Sequence, residues 1–219
     1  MRPLGQGIYL IVDPGGRSRS WLINELEAVI RAGAGLVQLR DKSPWNSESR
    51  DFAEQILEIC RETRVPLIVN DDPARAQALG ADGVHLGRED PGVGSARARL
   101  GDQAIIGVSA YADPERGRAA AREGADYVAF GSLYASPTKP QAARFPLECL
   151  REARQSIDIP LCAIGGIRPD NARPVIEAGA DWLAVISGVW DAANPVQAMR
   201  DFAHAFNPDA ESGSRPERG

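Results

Sequence analysis

The chain has only three cysteines, Cys60, Cys149 and Cys162. They are odd in number and lack the spacing of metal ligands, which argues against a disulfide scaffold or a zinc ribbon. Each reads as a small buried hydrophobe in a reducing compartment. Histidine is scarcer, with His85 and His204 alone, and no Ser-His-Asp or Cys-His arrangement stands out. Positive charge is not in excess either: 25 Lys and Arg against 30 Asp and Glu leave a formal charge of −5. That disfavours a general nucleic-acid binder held by a basic surface. No apolar stretch approaches the roughly 18 residues of a spanning helix, and the N-terminus carries no basic region followed by an apolar run and cleavage site. A soluble, cytoplasmic protein is expected.

What is present is enough for one sizeable core. The 219 residues are 43% hydrophobic, with 22 Gly and 16 Pro, a composition that excludes a disordered chain. Short apolar runs at 8–12, 36–39, 66–69, 83–86, 104–108, 127–130, 161–164 and 183–186 predict eight strands. Helical spacing lies between them, as in 21–31, where Leu22, Leu26, Val29 and Ile30 form one stripe, and in 47–61. Segments 114–122 and 146–154 open on proline, which a first helical turn tolerates. Residues 207–219 are polar and rich in charge, Ser, Gly and Pro, and predict a short disordered tail after a catalytic domain at 1–206.

Repetition organises these elements. Gly80-Ala81-Asp82, Gly124-Ala125-Asp126 and Gly179-Ala180-Asp181 each close a helical segment and introduce a strand, and Gly33-Ala34-Gly35 is a weaker copy. Glycine there suits a left-handed helix C-cap. Each interval holds two strands and two helices, so four copies imply eight βα units and an α/β fold, a single (β/α)8 TIM barrel. A doubly wound open sheet is the structural alternative.

In a barrel, chemistry sits at the C-terminal strand ends. One such end, Gln38-Leu39-Arg40-Asp41-Lys42, places an amide, a guanidinium and an ammonium on one side at its even positions, an anion clamp. Asn70-Asp71 and Glu89-Asp90 follow the third and fourth strands. Carboxylates on neighbouring loops beside an anion clamp suit a Mg2+-bound diphosphate. The same aspartates also suit helix N-caps, and spacing alone does not separate Glu89 from Asp90. The loop from Gly131 to Lys139 ends the sixth strand with hydroxyls and a cation. Gly165-Gly166 and Ile186-Ser187-Gly188 follow strands seven and eight, where barrels commonly bind a phosphomonoester. Two anion sites suggest transfer between two phosphorylated substrates. His85, at the end of the fourth strand, reads as a satisfied strand histidine or a ligand contact, and His204 as structural.

Taken together, QLRDK at 38–42, ND at 70–71, GADGVHLG-x-E-D at 80–90, GVS at 107–109, PTK at 137–139, AIGGI at 163–167 and AVIS at 184–187 resemble the thiamine phosphate synthase family over residues 7–206. The resemblance implies a Mg2+-dependent transferase of thiamine biosynthesis. It would join 4-amino-5-hydroxymethyl-2-methylpyrimidine diphosphate to a thiazole phosphate, carboxylated or not, releasing pyrophosphate. It also implies Asp71 and Asp90 as the Mg2+ ligands. Gln38, Leu39, Arg40, Asp41, Lys42, Asn70, Ser109 and Lys139 would hold the diphosphate substrate, and Ser136, Pro137, Thr138, Gly166, Ile186 and Ser187 the thiazole phosphate. Arg40, Lys42, Ser109 and Lys139 would be the catalytic set. The partners implied are these two small molecules, with neither nucleic acid nor membrane, and self-association stays open.

The sequence departs from the family twice. Family members often have His two residues beyond the GVS serine, where this chain has Tyr111, and the loop at 140–144 replaces one that is often richer in glycine. A thiazole tautomerase-like paralogue and a non-catalytic phosphometabolite sensor are the alternatives. Neither has an evident use for Arg40, Lys42, Asp71, Asp90 and Lys139 together. A sugar-phosphate isomerase barrel rests on the fold alone.

Overall fold

The computed structural model describes residues 4–135 and 145–206. Eight parallel strands close into a barrel in sequence order: β1 Gly7–Val12, β2 Ala34–Leu39, β3 Leu67–Asn70, β4 Gly83–Leu86, β5 Ile105–Tyr111, β6 Tyr127–Phe130, β7 Leu161–Ile164 and β8 Trp182–Val185. Pairing from Gly7↔Trp182 to Leu10↔Val185 makes the closure. The helices are α1 Arg19–Arg31, α2 Ser47–Thr63, α3 Pro73–Leu79, α4 Val93–Leu100, α5 Pro114–Arg122, α6 Leu147–Ser156, α7 Pro169–Glu177, α8 Ser187–Trp190 and α9 Pro195–Phe206. No helix among the described residues is long and apolar enough to cross a membrane. The predicted tail at 207–219 lies outside the described residues.

Strand alternation divides the apolar residues into two cores. Tyr9, Ile11, Leu36, Ile68, Tyr127, Ala129, Cys162, Trp182 and Ala184 fill the barrel interior. Their neighbours Ile8, Leu10, Val12, Val37, Leu39 and Leu67 face outward and pack with Leu22, Leu26, Phe52, Ile56 and Phe202 of the helices. Because both faces are buried, the strands read as continuous apolar runs.

The Gly-Ala-Asp repeat is a staple at the N-terminal end of the barrel. Oδ2 of Asp82, Asp126 and Asp181 accepts from the amides of Leu67, Ile106 and Leu161 at 2.8, 2.7 and 2.8 Å. Each aspartate amide donates back to the carbonyl of the same residue, so three even strands are pinned to the odd strands before them. Arg97 and Arg154 add charge to Asp126 and Asp181, both at 2.9 Å or less. Gly80, Gly124 and Gly179 hold the left-handed φ of 71, 90 and 103° that the chain needs on leaving each helix. The fourth copy lacks the carboxylate because the Trp182 ring fills that corner, where a β-carbon on Gly35 would lie 2.9 Å from it.

Several boundaries differ from expectation, β2 beginning at Ala34 rather than at 36 among them. Pro146 is the N-cap of α6 rather than its first residue. β5 continues past Val108 to Tyr111 through an irregularity that pairs Ser109 with Ala129 and Tyr111 with Phe130, leaving Ala110 unmatched.

Candidate active site at the barrel mouth

The C-terminal strand ends surround a cavity of about 1100 Å3, its open mouth included, lined by Gln38, Arg40, Asn70, His85, Ser109 and Tyr111 on one side and by Gly165, Gly166, Ile186 and Ser187 on the other. Its floor is a chain of buried hydrogen bonds. Gln38 Nε2 donates to Tyr9 Oη at 2.8 Å, the Tyr9 and Tyr127 hydroxyls meet at 2.8 Å, His85 Nδ1 meets Tyr127 Oη at 2.9 Å, and His85 Nε2 meets Ser109 Oγ at 2.8 Å. Five side chains from β2, β1, β6, β4 and β5 thus share one line. Donor and acceptor roles along this line follow the tautomer of His85: with Nδ1 accepting from Tyr127, Nε2–H donates to Ser109 Oγ. Ser109 also lines the cavity. Burial raises both tyrosine pKa values far above the ordinary phenol range, so both stay protonated.

Charge is gathered at the rim. Arg40 pairs with Asp13, which also accepts from the Gly15 amide at 2.8 Å. Lys42 pairs with Asp71. Helix α3 is capped by Asp72, whose carboxylate takes the amides of Ala74 and Arg75. Asp71 is therefore not used as a cap, and its backbone holds a left-handed φ of 67° that a non-glycine residue adopts at a cost. Helix α4 starts at Val93 after Gly92, so Asp90 caps no helix. Asp90 Oδ2 accepts instead from the Gly87 amide at 2.6 Å. Its carboxyl is raised above the usual range, first by burial and then by the neighbouring Asp71 charge, against the pull of the Gly87 amide and Lys42. Two carboxylates pressed together beside cations fit a hard divalent ion that completes its shell with phosphate and water oxygens.

On the opposite wall, Gly165 and Gly166 have φ of 109 and 63°. A β-carbon on Gly166 would lie 2.4 Å from the Ala135 carbonyl oxygen, so only glycine lets this turn pass under the loop after β6. Ser187 opens the short α8 after β8, the position at which barrels commonly seat a phosphate.

The mouth brings together Gln38, Arg40, Asn70, Ser109, Gly166, Ile186 and Ser187, with Lys42, Asp71 and Asp90 at its rim. Leu39 does not join them: it is 3% exposed and packs in the outer core. Asp41 pairs with Arg19 and accepts the Ser43 amide, its side chain turned away from the cavity. Ser136, Pro137, Thr138 and Lys139 lie outside the described residues. Sequence reasoning missed Tyr9 and Tyr127. The available signal was parity, since each shares the inward face with residues two positions along, but apolar neighbours on the outward face hid it. Burial pushes the Cys60 thiol up to about 12 and raises Cys162 as well, so neither offers a thiolate nucleophile.

A closed parallel (β/α)8 barrel with its cavity at the C-terminal strand ends has the architecture of the barrel enzymes. The pattern of the thiamine monophosphate synthase family matches residues 8–189, and the chain belongs to that family. A thiamine-phosphate synthase from Azoarcus sp. is 47% identical over 201 residues, 92% of this chain and 97% of the relative. One from Nitrosococcus oceani is 47% identical over 92% of this chain and 93% of its own. Among solved structures, a thiamine phosphate pyrophosphorylase from Pyrococcus furiosus superposes with a TM-score of 0.83 at 32% identity, covering 93% of this chain and 96% of the other.

Proposed function

We propose that this barrel couples a pyrimidine diphosphate to a thiazole phosphate, giving thiamine phosphate and pyrophosphate, and that it needs Mg2+ to do so. The observation that carries the reading is the facing pair Asp71 and Asp90, spared from helix capping and set beside Lys42. Asp71 and Asp90 would hold the ion, which when bound supplies charge neutralisation to a diphosphate.

The chain's own residues account for the rest. Arg40 is held by Asp13 in one orientation, so its fork meets phosphate oxygens without a search through rotamers. Lys42, released from Asp71, adds a compact charge, and the two cations stabilise the negative charge that develops on departing pyrophosphate. Ser109 presents its hydroxyl to the same cavity at the end of the Gln38–Tyr9–Tyr127–His85 line. The bond between the exocyclic methylene carbon and the diphosphate oxygen breaks, with its electron pair leaving on pyrophosphate. The thiazole nitrogen lone pair forms the new C–N bond. The electron-rich aminopyrimidine supports the methylene cation, and the Gly166–Ser187 wall would fix the thiazole phosphate so that its nitrogen is aimed. No protein nucleophile is required. A role for Lys139 at the diphosphate is part of the same proposal.

The test is formation of thiamine phosphate from both substrates with Mg2+. Product is expected only when both substrates and a divalent ion are present, and no product under any divalent-metal condition overturns the reading.

A further inference from the structure

Tyr111, the departure from the family's frequent histidine, has no part in the chemistry above, yet it touches the turn that presents Asp90. We propose that Tyr111 and Arg116 are positioning residues: together they brace the Gly87–Asp90 turn against β5, so that Asp90 and Ser109 are set by one device. The proposal rests on the metal reading of Asp71 and Asp90.

The hydrogen bonds of the turn carry the inference. The Gly87 amide donates to Asp90 Oδ2 at 2.6 Å. The Gly87 carbonyl accepts from Arg116 Nη2 at 2.9 Å. The Arg88 amide donates to Tyr111 Oη at 3.1 Å. Three successive main-chain groups are thus held by side chains, two of which come from β5 and α5. On the same edge of the Arg116 guanidinium, Nε donates to the Ser109 carbonyl of β5 at 2.7 Å. One guanidinium therefore ties the end of β5, where Ser109 sits, to the turn after β4, where Asp90 sits. Lysine has no such planar fork.

Tyr111 is shaped for its place. It takes a left-handed φ of 57° just after the unmatched Ala110, a strain that persists only where surrounding contacts impose it. Two guanidiniums lie over its ring, Arg88 at 5.2 Å and Arg116 at 5.9 Å from the centroid, an attraction to the electron-rich face. A β-carbon on Gly87 would stand 3.1 Å from both Asp90 Oδ2 and Tyr111 Oη. The phenol and the carboxylate so flank one glycine that any larger residue would push them apart.

The experiment is a titration of the full chain with Mn2+ in the presence of inorganic pyrophosphate, read by electron paramagnetic resonance, without turnover. Asp90→Asn is expected to lose most of the bound ion. Tyr111→Phe, which removes one hydroxyl and keeps the ring, is expected to weaken Mn2+ binding about three- to tenfold, as loss of one hydrogen bond at a positioned ligand would. Arg116→Lys is expected to weaken it by about tenfold or more. In both variants the thermal midpoint should stay within about 2 °C of the parent, and KM for the diphosphate should rise while KM for the thiazole phosphate does not. If Tyr111→Phe binds Mn2+ as the parent does while Asp90→Asn loses it, the brace is overturned and the metal reading stands. If the parent binds no Mn2+ with pyrophosphate, both are overturned together.

Discussion

The two ends of the barrel use the same residue types for opposite purposes. At the N-terminal end, Asp126 shows 6% side-chain exposure and accepts from the Ile106 amide and from Arg97. Asp181 does the same with the Leu161 amide and Arg154. Those carboxylates satisfy strand amides that have no partner in the sheet. At the C-terminal end, Asp71 and Asp90 face each other, and the amide that Asp90 accepts belongs to its own turn. Lys42, with 59% side-chain exposure, is the cation that Asp71 holds. A carboxylate spent on the backbone secures the fold, whereas one set against another carboxylate is available to a ligand.

Mutations at the two ends should therefore separate activity from stability. The largest effect expected is from Arg40→Ala, which should lower kcat/KM by about 100-fold through lost charge stabilisation and lower the thermal midpoint less than Asp126→Ala does, because Asp13 keeps the Gly15 amide. Asp126→Ala should cost about 3 kcal/mol in denaturant unfolding, because the buried Ile106 amide loses its acceptor and the half-buried Arg97 loses its ion pair. Tyr127→Phe should cut the buried line between the two ends of the polar floor, costing about 2 kcal/mol of stability and lowering kcat/KM by about tenfold as Ser109 loses its orientation. The smallest effect expected is a gain. With Asp90 raised by burial and by Asp71, the folded state keeps a proton that the unfolded chain releases. The stability this supplies is complete below about pH 4 and is lost as pH rises through the folded pKa. In metal-free buffer, Asp90→Asn keeps an acceptor for Gly87 and should melt slightly higher than the parent at neutral pH, the difference closing on acidification.

Most of the barrel was legible because its signals are local. Glycine at the helix exits, aspartate at the strand starts and short apolar runs between them repeat often enough to count. The charged half of the site was also legible, since Arg40, Lys42, Asp71 and Asp90 follow strands directly. Sequence position alone could not show which of Asp71 and Asp72 caps α3; the left-handed backbone at Asp71 and the bonds to Asp72 decide it. The polar floor was hidden for a different reason. Tyr9 and Tyr127 sit in runs apolar on both faces, and their pairing spans 118 positions of chain. Leu39 and Asp41 were gathered with their neighbours as one segment, but strand parity turns Leu39 outward and Arg19 claims Asp41.

The most direct test compares kcat/KM for pyrophosphate release in Arg40→Ala and Asp126→Ala, well below both midpoints. If charge at the mouth performs the chemistry and charge at the base secures the fold, Asp126→Ala should keep its activity within about threefold of the parent while Arg40→Ala falls by about 100-fold. Equal losses in the two variants would contradict that division.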